Sequence, residues 1–145
     1  MRIMAIDYGD ARTGIAVSDE SASIAGEAWV IRENTPEAVA LAVAAEAVSR
    51  GVSVIVIGYP KNMNGTIGPR AEKSEHLAAL IRLQYKTTSP PQSGFEVVLW
   101  DERMTTMSAH RILTDTGRHG KKRKNTVDAV AASLILESYL RSLQA

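Results

Sequence analysis

The chain has 145 residues, no cysteine and a net charge of +1, and 45% of it is hydrophobic. That length suits a single domain over 1–145 with a buried core. The missing thiols exclude disulfides, thiolate metal sites and cysteine nucleophiles, and they fit a reducing cytoplasm. The near-neutral total predicts neither nucleic-acid nor membrane binding, so local clustering has to decide. No apolar run reaches the ~18 residues of a membrane span. Asp7 and Asp10 interrupt any leader-like run in residues 1–20, so no signal peptide is expected.

Residues 2–7 (RIMAID) read as a buried strand, Tyr8-Gly9-Asp10 as a turn, 12–18 as a second strand and 24–31 (IAGEAWVI) as a third. The short links argue for antiparallel hairpins. The period then changes. Thr35 can cap a helix, Pro36 fits its first position, Glu37 complements the dipole and Gly51 can end it. The β-branched run 52–58 (VSVIVIG) predicts a central strand buried on both faces. YPKNMNGTIG is a turn-rich loop, and Pro69 opens a helix over 69–85. Prolines 90 and 91 exclude a central strand in the next loop. FEVVLW (95–100) is the last strand, a helix runs from about 105 to 116, and the final helix spans 126 to about 143. Hairpins followed by alternating helices and strands imply a mixed sheet with helices on both faces and right-handed parallel crossovers.

Three places carry carboxylates where such a fold gathers function. Asp7 closes the first strand, Asp101 and Glu102 close the last, and Asp128 opens the final helix. Each has a plain alternative. Asp7 suits a turn start, Asp101 or Glu102 a solvated pair or a cap, and Asp128 a first-turn acid facing the helix dipole. Against the last, Ala131, Ala132 and Ile135 follow Asp128 at helical spacing. That small apolar ridge should pack on the sheet, where a carboxylate needs a partner. Converging carboxylates cannot all ionise without a cation, and oxygen-only ligands select Mg²⁺ or Mn²⁺. Such ions serve phosphoryl chemistry, and a pair of them clamps a phosphodiester. Asp101 and Glu102 point to opposite faces of a strand, so one of them is expected as a ligand, and periodicity does not choose which.

Residues 111–124 hold six of the 17 Lys and Arg residues, Arg111, Arg118, Lys121, Lys122, Arg123 and Lys124, against Asp115 alone. The stretch reads as a connector, either merely solvated or a track for a phosphate backbone. Lys61 and Arg70 flank the loop after the central strand and could meet phosphates, although no Gly-Lys-Ser/Thr ending makes it a P-loop. The three histidines lack ligand spacing, and Trp29 and Trp100 lie in strands, where core packing is expected.

Four segments, DYGDARTGIAVSD, GYPKNMNGTIGPRAE, DERMTTMSAH and KKRKNTVDAVAASLILESYL, together resemble the bacterial YqgF/RuvX family. That family is described both as Holliday junction resolvases and as nucleases maturing the precursor of small-subunit ribosomal RNA. The resemblance covers nearly the whole chain. It implies an α/β RNase H-like fold, a five-stranded mixed sheet of order 3-2-1-4-5 flanked by helices. It also implies a metal-dependent acidic triad of Asp7, Glu102 and Asp128, choosing Glu102 over Asp101. The activity expected is Mg²⁺- or Mn²⁺-dependent endonucleolytic hydrolysis of structured RNA or branched DNA. Arg12, Lys61, Arg103, Arg118, Lys121, Lys122, Arg123 and Lys124 would hold the backbone. No membrane partner is expected and a homodimer is allowed. Two other classes compete. One is a nucleotide phosphotransferase, disfavoured because actin-like kinases need two such domains. The other is a non-catalytic nucleic-acid-binding protein, disfavoured by the intact triad.

Overall fold

A computed structural model describes residues 1–87, 96–101 and 120–144, of which 87 and 120–126 are described by their backbone alone. Five strands, β1 (Arg2–Asp7), β2 (Thr13–Ser18), β3 (Ala25–Ile31), β4 (Val52–Tyr59) and β5 (Glu96–Asp101), form one sheet in the order β3-β2-β1-β4-β5. β1 pairs antiparallel with β2 and parallel with β4, and β2–β3 and β4–β5 continue these senses. The mixed sheet and its hairpin start therefore match the expectation, and the order matches what the resemblance implied.

The helices are α1 (Pro36–Ser49), α2 (Pro69–Thr87) and α3 (Gly120–Leu143). α1 starts where its sequence signals place it. Thr35 is the N-cap, its hydroxyl oxygen accepts the amide of Ala38 at 3.2 Å, and Pro36 opens the first turn. α1 and α2 cover one face of the sheet, where Met4, Ile6, Ile15, Ile55 and Ile57 pack against Val39, Val43, Leu77 and Ile81. α3 covers the other face, where Ile3, Ala5, Ala16, Val54 and Val56 meet Ala132, Ile135, Leu136 and Leu140. Alternation along each strand thus feeds two cores, and β4 is buried on both sides as its β-branched run requires.

Both tryptophans serve packing. Arg50 lies over the Trp29 ring at 4.3 Å and bonds Glu46 and Glu27. Trp100 donates to the Ser138 hydroxyl at 3.0 Å and meets Tyr139 edge-on.

Among the described elements, most boundaries fall within two residues of expectation, and one departs further. α3 starts at Gly120, six residues before the expected Thr126. The Lys121–Lys124 run therefore belongs to the first turns of a helix and is not a connector. Lys and Arg are good helix formers, so nothing in their intrinsic preference stops the helix at 126. The helix expected over 105–116 lies outside the described residues.

Candidate active site

Asp7 is the last residue of β1, and strand alternation settles which way it faces. Ile3 and Ala5 point to the α3 side, so Asp7, two residues on, shares that side. Its register partner across the antiparallel pair is Gly14. Gly14 is also where α3 comes close to the sheet. A Cβ placed on Gly14 would lie 2.0 Å from the carbonyl oxygen of Asp128 and 2.5 Å from its carbon. Only a residue without a side chain allows this approach. Asp7 and Asp128 are therefore both neighbours of one glycine, although they lie 121 positions apart in the chain.

The apolar ridge behind Asp128 packs as its spacing predicts, with Ala132 and Ile135 fully buried against the sheet. The early start of α3 also removes the plain reading of Asp128. With Gly120 as the first helical residue, Asp128 sits in the third turn, beyond the reach of a first-turn dipole effect. Its side chain is 21% exposed and accepts a hydrogen bond from Arg12 Nε at 3.0 Å. Arg12 comes from the β1–β2 turn. The carboxylate held in place at the sheet surface is thus met by a cation, as the penalty for burying an isolated charge requires.

The turn that carries Arg12 is fixed on its other side. Lys73 of α2 reaches Asp10 with Nζ–Oδ1 of 2.8 Å, and this contact holds the Asp10 carboxyl below the usual range. Burial pushes the neighbouring Tyr8 phenol up, so it stays protonated at neutral pH.

β5 separates the two acids that periodicity left open. Val98 and Trp100 pack on the α3 side and Val97 and Leu99 on the α1/α2 side. Asp101, in register with Tyr59, has the parity of Val97 and Leu99 and faces away from Asp7. Glu102 itself lies outside the described residues, as do Arg103 and Arg118. Lys121, Lys122, Arg123 and Lys124 are placed as helix positions only. Lys61 stands near the Tyr59 ring, its Nζ 5.7 Å from the centroid.

A hard divalent cation fits what is present. Asp7 and Asp128 offer only oxygen donors, they share a face, and Asp128 already attracts a cation. No group of three metal-ligating side chains stands together among the described residues. The structure thus brings together Asp7, Asp128 and Arg12. Sequence reasoning missed the part played by Gly14. A glycine inside a strand was the available signal, since it marks a close approach of backbone.

A model of the RuvX family, described as "Holliday junction resolvase", matches residues 1–142. A protein of Halothermothrix orenii named "Putative pre-16S rRNA nuclease" is 41% identical over 97% of this chain and 94% of its own length. One of the same name from Geobacillus kaustophilus is 42% identical over 98% of this chain and 99% of its own. Among solved structures, Thermus thermophilus RuvC in complex with Holliday junction substrate superposes with a TM-score of 0.58. It shares 14% identity, with 100% of this chain and 98% of that one covered. The fowlpox virus resolvase with its junction DNA gives 0.56 at 12% identity, both chains fully covered. These likenesses show the RNase H-like fold. Among the described residues no helix is long and apolar enough to cross a membrane. With a family model matched nearly end to end and curated relatives at about two-fifths identity, the chain belongs to the RuvX family.

Proposed function

We propose that the chain is a metal-dependent endonuclease that hydrolyses phosphodiester bonds in 5′-end maturation of precursor 16S ribosomal RNA, acting in the cytoplasm. The observation that carries the reading is the convergence of Asp7 and Asp128 on Gly14, at the carboxyl end of β1. The names carried by the relatives give the substrate class. Asp7, Glu102 and Asp128 would hold Mg²⁺ or Mn²⁺. Glu102, which lies outside the described residues, would complete the set, as the family resemblance implies. An ion held there would supply Lewis-acid chemistry for phosphodiester hydrolysis.

The chain's own residues do the rest. Gly14 sets the spacing of the two aspartates, and Arg12 holds Asp128 until substrate arrives and then has a phosphate to meet. Lys61, Arg103, Arg118, Lys121, Lys122, Arg123 and Lys124 would grip the backbone. The early start of α3 supports this for the four residues 121–124. Cations in the first turns of a helix oppose its dipole by ~0.3–1 kcal/mol each at exposed sites, so an anionic partner is their natural complement. Lys124 stands one helical turn before Asp128, the position from which a cation can neutralise transition-state charge.

The test is cleavage of end-labelled precursor RNA beside a labelled four-way DNA junction, each with Mg²⁺, Mn²⁺ or EDTA. The reading expects a discrete cut in the RNA, lost in EDTA and in Asp7→Asn. Cutting of the junction alone would move the substrate to branched DNA. Full activity in EDTA would sink the mechanism.

A further inference from the structure

The loop after β4 presents apolar side chains to solvent in a way its hydrogen bonds make deliberate. Within residues 60–68, the Asn62 amide donates to the Thr66 carbonyl at 2.9 Å and the Gly65 amide to the Asn62 carbonyl at 2.8 Å. Asn62 Nδ2 donates to Thr66 Oγ1 at 2.9 Å, and Asn64 Oδ1 accepts both the Thr66 amide at 3.1 Å and the Thr66 hydroxyl at 2.6 Å. Gly65 closes the turn at φ +85, where side chains are disfavoured. These bonds run within the loop and hold its shape. At its tip Met63 is 88% exposed, and Ile67 is 51% exposed.

Register places the root of this loop at the sheet edge where Asp7 ends. β1 and β4 run parallel with Ile6 opposite Ile57, so Asp7 ends its strand level with Gly58 and the loop leaves the same edge. Lys61 and Arg70 flank it, and Arg70 lies close enough to Asp10 to favour its ionised form. A self-supported loop with an exposed apolar tip and cations at its base has the makeup of a wedge that enters a nucleic-acid stack. There the apolar side chain covers the face of a base while the cations meet flanking phosphates.

We propose that loop 60–68 is such a wedge: Met63 and Ile67 dock against an unstacked RNA base next to the cleaved phosphodiester, and Lys61 and Arg70 hold the phosphates beside it. The proposal rests on the nuclease reading and adds a base-contacting subsite to it. The subsite selects RNA with an unpaired base at the cleavage position over a fully paired helix.

The experiment uses the full chain carrying Asp7→Asn, to prevent cutting, and two RNA hairpins that differ by one bulged 2-aminopurine. Binding is read as affinity and as 2-aminopurine fluorescence. The expected result is tighter binding of the bulged hairpin, with a fluorescence change. Met63→Ser should lower that preference about tenfold, the loss from one uncovered apolar side chain. Thr66→Val, which removes two of the bonds holding the loop, should lower it with Met63 still present, and Thr66→Ser should restore it. Met63 is exposed, so its replacement leaves the core intact. If Met63→Ser keeps the preference and the fluorescence change, the wedge is overturned and the nuclease reading stands. A change in oligomeric state in place of the RNA effect would make the tip a protein contact and also overturn it. Failure of the parent protein to bind either hairpin overturns the nucleic-acid reading together with the wedge.

Discussion

Gly14→Ala tests how the site is built. The new Cβ would sit 2.0 Å from the Asp128 carbonyl oxygen, and the atom it meets is backbone, which cannot rotate away. Ordinary contact is about 3.5 Å, so α3 must retreat by about 1.5 Å at the residue that carries the carboxylate. Overpacking of this kind costs about 1–3 kcal/mol, and a misplacement of about 1 Å at a reacting centre lowers the rate about 100-fold. Gly26→Ala is the control. Its Cβ would approach the Val17 carbonyl oxygen at 3.1 Å on the edge strand, away from Asp128, which asks only for a small adjustment. Thermal unfolding and single-turnover cleavage at saturating enzyme separate the two effects. Gly14→Ala should be slower even at temperatures where it is fully folded, and Gly26→Ala should cleave at the parent rate. Parent rate and stability in Gly14→Ala would show that α3 does not seat Asp128 on this glycine.

Arg12→Ala frees the Asp128 carboxylate from its cation, so Mn²⁺ affinity measured by calorimetry should rise. The salt slope of nucleic-acid affinity should fall by about 0.9 on duplex DNA or 0.7 on single strands, and weaker metal binding would contradict the assignment. The Thr13 hydroxyl is buried without a hydrogen-bond partner among the described residues. Thr13→Val should therefore stabilise the fold by about 1 kcal/mol, a rise of roughly 3 °C in Tm, and a loss of stability would show that the hydroxyl is satisfied. Burial pushes the Tyr85 phenol from 10.0 up to about 12. A raised folded-state pKa leaves its contribution intact below pH 10 and removes it as pH rises toward 12. Denaturant midpoints over that window should fall more steeply for the parent than for Tyr85→Phe, and parallel curves would rule the contribution out.

Where the candidate residues Asp7 and Asp128 stand in the fold was legible because periodicity reports faces. The alternation that buries Ile3 and Ala5 carries Asp7 to the α3 side, and the Ala131–Ala132–Ile135 ridge announced that Asp128 packs on the sheet. The start of α3 was not legible. A lysine run after Gly117 and Gly120 has no cap signal, and its charge opposes the helix dipole, so it reads as a loop. The pairing of Arg12 with Asp128 could not be read either, because it joins residues 116 apart through a tertiary contact. Alternation placed Asp101 and Glu102 on opposite faces but could not orient the strand. The packing of Val97 and Trp100 on opposite cores did so, turning Asp101 away. The order of the five strands came from the family resemblance, since hairpin and crossover rules alone permit several orders.

The central claim is that Asp7 and Asp128 form one divalent-metal site. Calorimetric titration of Mn²⁺ into the parent chain, Asp7→Asn and Asp128→Asn tests it directly, with circular dichroism to confirm that each variant is folded. A shared site predicts saturable binding to the parent protein and its loss in both folded variants. Undiminished binding in either one would contradict a shared site.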